Sequence, residues 1–216
     1  MNRINLNTLK ANWDESYLNN QNNILEPHEE LVKFIARYKK DISNLTTNKP
    51  LAVDIGCGIG TQSIYLAKKG YRVEGFDISK VAIKKANHAI EKTEYEVNFS
   101  EINENNFFLP KCDLAIACGS LDSMSYENAQ LWLKELAKKL TKGGLFFCTL
   151  IGQRASDDFV GEEKIDDSHE RGTIQSYFDM DKIKDLILNN GFVFERIDLI
   201  KKENLYPKLK FRSNSR

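Results

Sequence analysis

A short apolar segment that ends in three closely spaced glycines is the feature that most constrains the fold of this chain. The segment Leu51–Ile55 is apolar at every position but one, and Gly56, Gly58 and Gly60 follow it. Runs of this length are typical of strands that are buried on both faces of a parallel sheet. Glycine adopts positive φ angles and lets the backbone approach a ligand closely, so we expect a tight loop between this strand and a helix.

The rest of the chain alternates between short apolar runs and amphipathic stretches. Strands are predicted at residues 51–55, 72–76, 95–99, 112–118, 145–150, 192–200 and 205–212. Helices are predicted from Glu26, from Thr61 to Lys69, from the N-cap Ser79 to Glu91, from Tyr126 to Leu140 and from the N-cap Asp179 to Asn190. This alternation predicts an α/β fold with a doubly wound parallel sheet and helices on both faces. Such sheets bind ligands beyond the carboxyl ends of their strands, next to the first strand.

The spacing of the glycines excludes two common nucleotide-binding motifs. A dinucleotide-binding loop needs a small residue at the position of Thr61, whereas the third glycine of this chain falls at Gly60. A phosphate-binding P-loop needs Gly-Lys-Ser or Gly-Lys-Thr, which does not follow here. An acidic residue, Asp54, also lies two positions before the first glycine.

The second predicted strand leads into an acidic residue, Asp77. At this edge of a doubly wound sheet, a carboxylate is placed to accept hydrogen bonds from both hydroxyls of a ribose. Ile78 follows it and offers an apolar side chain that suits the face of a purine. The alternative is that Asp77 serves only as a favourable negative charge at the N-terminus of the helix that Ser79 begins.

In combination, these motifs resemble those of the class I S-adenosylmethionine-dependent methyltransferases. The matching segments are residues 53–61, residues 75–79 with Ala82, Ile83 and Ala86, residues 112–116 and residues 140–144. The resemblance implies a Rossmann-like seven-stranded sheet in the order 3-2-1-4-5-7-6, in which residues 205–212 form the antiparallel seventh strand. It also implies an N-terminal helical cap segment at residues 1–25 and a single methyltransferase domain at residues 26–216.

The resemblance further implies which residues bind S-adenosylmethionine and its product S-adenosylhomocysteine. They are Asp54, Gly56, Cys57, Gly58, Gly60, Asp77, Ile78, Glu101, Ile102, Asn103, Cys118, Trp13 and Tyr17. Asp54 orients the glycine loop or reaches the amino group of the donor, and Asp77 holds the ribose hydroxyls. Either Glu101 or Asn103 takes the adenine amino group, and Cys118 lies near the sulfonium.

Composition disfavours several other classes of protein. The chain has 31 basic and 31 acidic residues, so bulk charge does not favour nucleic acid. No apolar stretch approaches the ~18 residues of a membrane span, and the N-terminus lacks the apolar core of a signal peptide. The four cysteines form no Cys-x-x-Cys pair, which favours reduced thiols in a cytoplasmic protein. We therefore expect no metal, no nucleic acid and no membrane partner.

The stretch from Ile151 to Phe178 has no sustained periodicity and follows the fifth predicted strand, so it overhangs the expected methyl donor. His169 in this stretch is a candidate general base, although a surface histidine is an equally good interpretation, and His28 is a second candidate. Candidate substrate-binding residues are Ser120, Arg154, Arg171 and Tyr177. The acidic pairs at residues 157–158 and 166–167 are interpreted as solvated.

The N-terminal segment carries Trp13 and Tyr17 four positions apart, hence on one face of a helix. This aromatic face suits a sulfonium cation, or it anchors the helix to the core. Residues 27–34 also resemble methyltransferases of bacterial surface-polysaccharide gene clusters. We predict O-methylation of a sugar-, phosphate- or carboxylate-bearing metabolite by a monomer or homodimer. The alternatives are N-methylation of a small amine and a noncatalytic donor-binding protein.

Overall fold

The computed structural model describes residues 6–46, 48–102, 108–154, 156–166 and 171–200. Its helices are α1 (Leu6–Leu18), α2 (Glu29–Ser43), α3 (Thr61–Lys68), α4 (Lys80–Ile90), α5 (Tyr126–Lys139) and α6 (Met180–Leu188). Its strands are β1 (Leu51–Ile55), β2 (Arg72–Asp77), β3 (Val97–Glu101), β4 (Cys112–Cys118), β5 (Leu140–Thr149), β6 (Gly161–Lys164) and β7 (Ile174–Tyr177). Within these ranges, no helix has the length and apolar character needed to cross a bilayer.

Five strands form a parallel sheet in the order β3-β2-β1-β4-β5. Helices α2, α3 and α4 pack on one face through a buried cluster that includes Leu31 and Leu66. Helices α5 and α6 pack on the other face through a cluster that includes Leu133 and Leu186. Because the strand order reverses between β1 and β4, the carboxyl end of β1 opens onto a topological switch point. The predicted α/β doubly wound, Rossmann-like class is confirmed.

The strand count differs from the predicted seven-stranded order. Strands β6 and β7 pair antiparallel in a separate two-stranded sheet, in the stretch for which the sequence showed no periodicity. The strand predicted at residues 192–200 is wrong, because this segment has no strand pairing. Phe192 packs on Phe146, with 5.5 Å between ring centroids, but Val193 and Leu199 are 86% and 89% exposed. The strand predicted at residues 205–212 lies outside the described residues.

The predicted helix boundaries hold where a capping side chain was recognised. Ser79 and Asp179 accept hydrogen bonds from backbone N–H groups of the first turns of α4 and α6, as predicted. Helix α2 begins at Glu29 rather than at Glu26, because the side chain of His28 caps it. The cap residue at this end was therefore missed.

Candidate functional site

The glycine loop between β1 and α3 is fastened to the carboxyl end of β2. The N–H groups of Gly56 and Cys57 both donate to the carbonyl of Phe76, at 2.8 and 2.9 Å. The N–H of Gly58 donates to Oδ2 of Asp77 at 2.9 Å. These bonds hold the loop against the acid that ends the neighbouring strand.

All three glycines of the loop have positive φ and closely approach other parts of the chain. A Cβ on Gly56 would lie 2.3 Å from Cβ of Ser120, and a Cβ on Gly58 would lie 2.7 Å from the hydroxyl oxygen of Tyr17. A Cβ on Gly60 would lie 2.5 Å from the Phe99 ring. The loop is therefore the place where β3, α1 and the turn after β4 converge.

Asp77 is the central acidic group of this region and is only 9% exposed. Its Oδ1 accepts from the N–H of Ser79 at 2.8 Å, while Oδ2 accepts from Gly58. Each carboxylate oxygen has capacity for a further hydrogen bond, so the arrangement fits the two hydroxyls of a ribose. Burial raises the pKa of Asp77 to about 6, against the lowering effect of the backbone N–H groups of Ser79 and Gly58.

This raised pKa predicts a pH dependence of donor binding. If Asp77 binds the ribose as predicted, the ribose hydroxyls donate to its ionised carboxylate. The affinity for S-adenosylhomocysteine should then be constant above pH 7 and fall as Asp77 protonates around pH 6. The expected fall is about tenfold per pH unit below that value. Calorimetric titrations between pH 5 and 8 measure it, and a flat profile would contradict the role of Asp77.

The fold itself should survive this acidification. The pKa of buried Asp54 is raised by burial to about 7, and both it and Asp77 therefore titrate above the ordinary range of an unfolded aspartate. Between pH 7 and 5 the folded state binds more protons at these two groups, so their protonation favours folding. A loss of affinity in this range can then be separated from unfolding by a thermal melt.

Asp54 is buried and bonded to the first turn of α3. It is 1% exposed and its Oδ2 accepts from Oγ of Ser63 at 2.6 Å. This contact ties β1 to the first turn of α3 on the two sides of the glycine loop. It favours the orienting role over direct contact with the amino group of the donor.

Helix α1 lies over the ends of β2 and β3, and its contacts there were not anticipated from the sequence. Oδ1 of Asp14 accepts from Oγ of Ser79 at 2.6 Å and from the N–H of Val81 at 3.1 Å. Nζ of Lys10 forms an ion pair with Oε1 of Glu101, the residue that ends β3. The signal that could have found them is the helical spacing of Lys10, Asp14 and Tyr17 on one face.

The two aromatic residues of α1 also lie at this end of the sheet. Tyr17 is buried with its hydroxyl against Gly58, and its ring centroid is 6.2 Å from that of Trp13. The C-terminal end of α1 is bound by Lys85 of α4, whose Nζ donates to the carbonyl of Tyr17 and, at 2.7 Å, to Oδ1 of Asn20. Both predicted aromatic residues thus lie on the helix that approaches the glycine loop.

The predicted adenine-side residues lie next to Asp77. Glu101 is its register partner in β3, and the N–H of buried Ile102 donates to the carbonyl of Asp77 at 2.8 Å. Ile78 is partly exposed at the end of β2. Asn103 lies outside the described residues.

The turn after β4 lies beside the glycine loop. Ser120 is buried and its Oγ donates to the carbonyl of Ile55 at 2.7 Å, beside the first glycine. Cys118 is partly exposed at the end of β4, and burial raises the pKa of its thiol well above the usual value. A second acid, Asp122, was missed: its Oδ2 accepts from the N–H of Ile151 and its carbonyl from the N–H of Ser176. These bonds fasten the segment after β5 to the turn.

Arg154, a candidate substrate-binding residue, forms its side-chain hydrogen bonds with residues of the segment after β5. The Arg154 guanidinium donates to both carboxylate oxygens of Asp157, at 2.8 and 2.7 Å, and to Oε2 of Glu163 at 2.5 Å. Tyr177 donates its hydroxyl to Oε1 of the same Glu163 at 2.8 Å. Nε of Arg171 donates to the carbonyl of Asp166 at 2.6 Å. The three candidates therefore bind neighbours on or beside the β6–β7 pair.

The candidate bases differ in what the structure shows of them. Nδ1 of His28 accepts from the N–H of Glu30 at 3.3 Å, and its backbone N–H donates to Gln62 at 3.0 Å, which places it beside the first turn of α3. His169 lies outside the described residues, in the connection between β6 and β7. That connection reaches α1 at Gly172, whose carbonyl accepts from Nδ2 of Asn12 at 2.8 Å. Within the described ranges, His, Cys, Asp and Glu side chains form no group of three that could hold a metal ion.

Comparison with known proteins agrees with this geometry. Residues 52–144, which contain the glycine loop and Asp77, match the family model of a methyltransferase domain. Magnesium protoporphyrin IX methyltransferase from Synechocystis PCC 6803, solved with bound S-adenosylhomocysteine, has a TM-score of 0.69 at 18% identity, over 92% of this chain and 94% of that one. A methyltransferase from Methanosarcina mazei gives 0.57 at 22% identity, over 69% and 82%. The CcbJ methyltransferase from Streptomyces caelestis gives 0.54 at 15% identity, over 73% and 78%.

Residues 52–144 thus carry a sequence match to a methyltransferase domain, and the chain shares its fold with solved S-adenosylmethionine-dependent methyltransferases. The Synechocystis structure binds S-adenosylhomocysteine, the product that S-adenosylmethionine leaves when its sulfonium gives up the methyl group. The residues of this chain fit such a ligand, because a glycine loop with positive φ angles and a buried acid with further acceptor capacity meet at the switch point of the sheet.

Proposed function

We propose that this chain transfers the methyl group of S-adenosylmethionine to a small-molecule acceptor, with an oxygen atom as the preferred acceptor. The observation that supports it best is the enclosure of the switch point. Helix α1 contacts the glycine loop at Gly58, the β2–α4 turn at Ser79 and the β6–β7 connection at Gly172. A site bordered on these three sides by one short helix suits a small ligand better than a polymer.

The chemistry requires alignment of the acceptor, the methyl group and the sulfur, together with exclusion of water. In this proposal Asp77 binds the ribose hydroxyls, and the backbone of the glycine loop runs close beside the methionine end of the donor. Tyr17 and Trp13 on α1 shield the sulfonium. For a hydroxyl acceptor, His169 removes the proton.

Two neighbouring interpretations remain alternatives to this proposal. The similarity over nearly the whole chain to magnesium protoporphyrin IX methyltransferase supports an organic small molecule as acceptor, and the balanced charge of the chain disfavours nucleic acid. N-methylation of a small amine needs no base in this position, because an amine can lose its proton to water. A noncatalytic donor-binding protein would retain the same glycine loop and Asp77 but would not catalyse methyl transfer.

The proposal predicts that the full chain binds S-adenosylhomocysteine with micromolar-range affinity and does not bind NAD. Calorimetry with both ligands measures this, and binding of NAD without S-adenosylhomocysteine would contradict the proposal. The acceptor is then sought by release of S-adenosylhomocysteine across matched panels of hydroxyl, carboxyl and amine compounds. Turnover confined to the amine panel would favour N-methylation, and tight donor binding without turnover on any panel would favour the noncatalytic alternative.

A further inference from the structure

We propose that Asp14 and Lys10 are positioning residues for the methyl donor, through which helix α1 fixes the two acids that end β2 and β3. This inference rests on the proposed function, because it concerns how the same donor site is held in shape. Neither residue belongs to a recognised motif of the chain, and both act through a second side chain rather than through contact with the donor.

Asp14 acts on the acid of β2. Its Oδ1 accepts from both Oγ of Ser79, at 2.6 Å, and the N–H of Val81, at 3.1 Å, in the first turn of α4. The N–H of the same Ser79 donates to Oδ1 of Asp77 at 2.8 Å. Asp14 therefore adds a cap from another helix to α4 and holds the turn that orients Asp77.

Lys10 acts on the acid of β3. Its ammonium pairs with Glu101, the register partner of Asp77 across β2 and β3. The two side chains are 31% and 27% exposed, so the pair is partly shielded from water at the edge of the site. Because Lys10 and Asp14 are one helical turn apart, a single docked helix sets the positions of both acids.

The position of α1 is itself fixed at its C-terminal end. Lys85 of α4 donates to the carbonyl of Tyr17 and to the side chains of Asn20 and Asn23, the latter two at 2.7 and 3.3 Å. Asp14 thus caps the N-terminal end of α4, while Lys85 of α4 caps the C-terminal end of α1. This reciprocal capping couples the docking of α1 to the geometry at Asp77.

The test compares Asp14→Ala, Asp14→Asn and Lys10→Gln with the control Glu15→Ala in the full chain. Glu15 is an exposed acid on the same helix, and its replacement removes a carboxylate without touching α4. The ligands are S-adenosylhomocysteine and 5′-methylthioadenosine, which lacks the amino-acid end. Affinities are measured by calorimetry at pH 8, well below the thermal midpoint of each variant.

Asp14→Ala should weaken the binding of both ligands by the same factor, roughly five- to thirtyfold. The reason is that Asp14 supports Asp77, which binds the nucleoside end that both ligands share. Asp14→Asn keeps an oxygen that accepts from Ser79 and Val81, so it should stay within about threefold of the parent chain. Lys10→Gln should weaken both ligands with little change in thermal midpoint, since an ion pair of this exposure contributes little to stability.

Parent-like affinity in both Asp14→Ala and Lys10→Gln would overturn the inference, as would a loss confined to S-adenosylhomocysteine. If Asp14→Ala does not fold, the Lys10→Gln comparison decides alone. Failure of the parent chain to bind either ligand would instead contradict the proposed function itself, so the two failures are distinguishable.

Discussion

Replacement of Asp77 by alanine is expected to weaken binding of S-adenosylhomocysteine by roughly 1–3 kcal/mol at pH 8. The substitution removes the acceptor of the ribose hydroxyls in a site where this carboxylate is 9% exposed, and it leaves the N–H of Gly58 without its partner. Calorimetry on the variant and the parent chain measures the difference. Unchanged affinity would remove Asp77 from the donor site.

Two controls separate the hydroxyl contacts from disturbance of the loop. Glu74→Ala removes a carboxylate from the same strand, one that accepts from Asn98 instead of approaching the glycine loop. It should leave donor affinity unchanged. In addition, 2′-deoxy- and 3′-deoxy-5′-methylthioadenosine lack one hydroxyl each, so Asp77→Ala should weaken them less than the parent nucleoside. An equal loss for all three nucleosides would show that Asp77 acts only by shaping the loop.

The central part of the fold follows from local sequence signals. Strands such as β1 and β4 are apolar on both faces because helices cover both sides of the sheet, and such runs are visible without knowledge of the partners. Ser79 begins α4 because its side chain satisfies a backbone N–H within its own first turn. Interactions of this range can be predicted because the donor and acceptor lie a few residues apart.

Strands β6 and β7 could not be predicted because their pairing depends on distant partners. Strand β6 is Gly-Glu-Glu-Lys, which lacks the alternation of a half-buried strand, and Glu162 in it accepts from the N–H of Tyr126 at the start of α5. Ser176 in β7 donates to the carbonyl of Asp122. Conversely, residues 192–200 carry enough apolar side chains to suggest a strand, but five of these side chains are solvent-exposed. Local composition alone does not decide between the two outcomes.

The candidate site likewise contains residues that local sequence predicts and residues that only tertiary contacts bring to it. The glycines and Asp77 are recognisable because a loop and a strand end at fixed separation carry the signal, and the structure brings them together. Asp14 and Lys10 contact residues 65 and 91 positions away, across a helix docking that no local pattern specifies. The arginine at 154 was a reasonable anion-binding candidate, yet in the structure Asp157 and Glu163 accept its hydrogen bonds. Such contacts depend on tertiary geometry rather than on spacing.

Replacement of His169 by alanine is expected to lower turnover of a hydroxyl acceptor by about 10²–10⁴-fold while leaving donor affinity unchanged. The neutral imidazole removes a hydroxyl proton near pH 7, since its ordinary pKa is about 6.5. The prediction rests on its position in the β6–β7 connection, which meets α1 at Gly172. The measurement is the initial rate of S-adenosylhomocysteine release with the acceptor found by the panels.

The matched control is His88→Ala, because this histidine is exposed on α4 and pairs with Glu91, so its loss should not alter turnover. His28→Ala tests the second candidate, whose ring nitrogen caps α2, and we expect mainly a lower thermal midpoint from it. Full turnover in His169→Ala with loss in His28→Ala would transfer the role of base to His28.

A chelator should not change the rate of methyl transfer. A loss of activity that a divalent ion restores would instead assign a metal-binding role to the acidic pairs at residues 157–158 and 166–167. An amine acceptor should be affected far less by His169→Ala, because water can take its proton, so the size of the effect distinguishes O- from N-methylation.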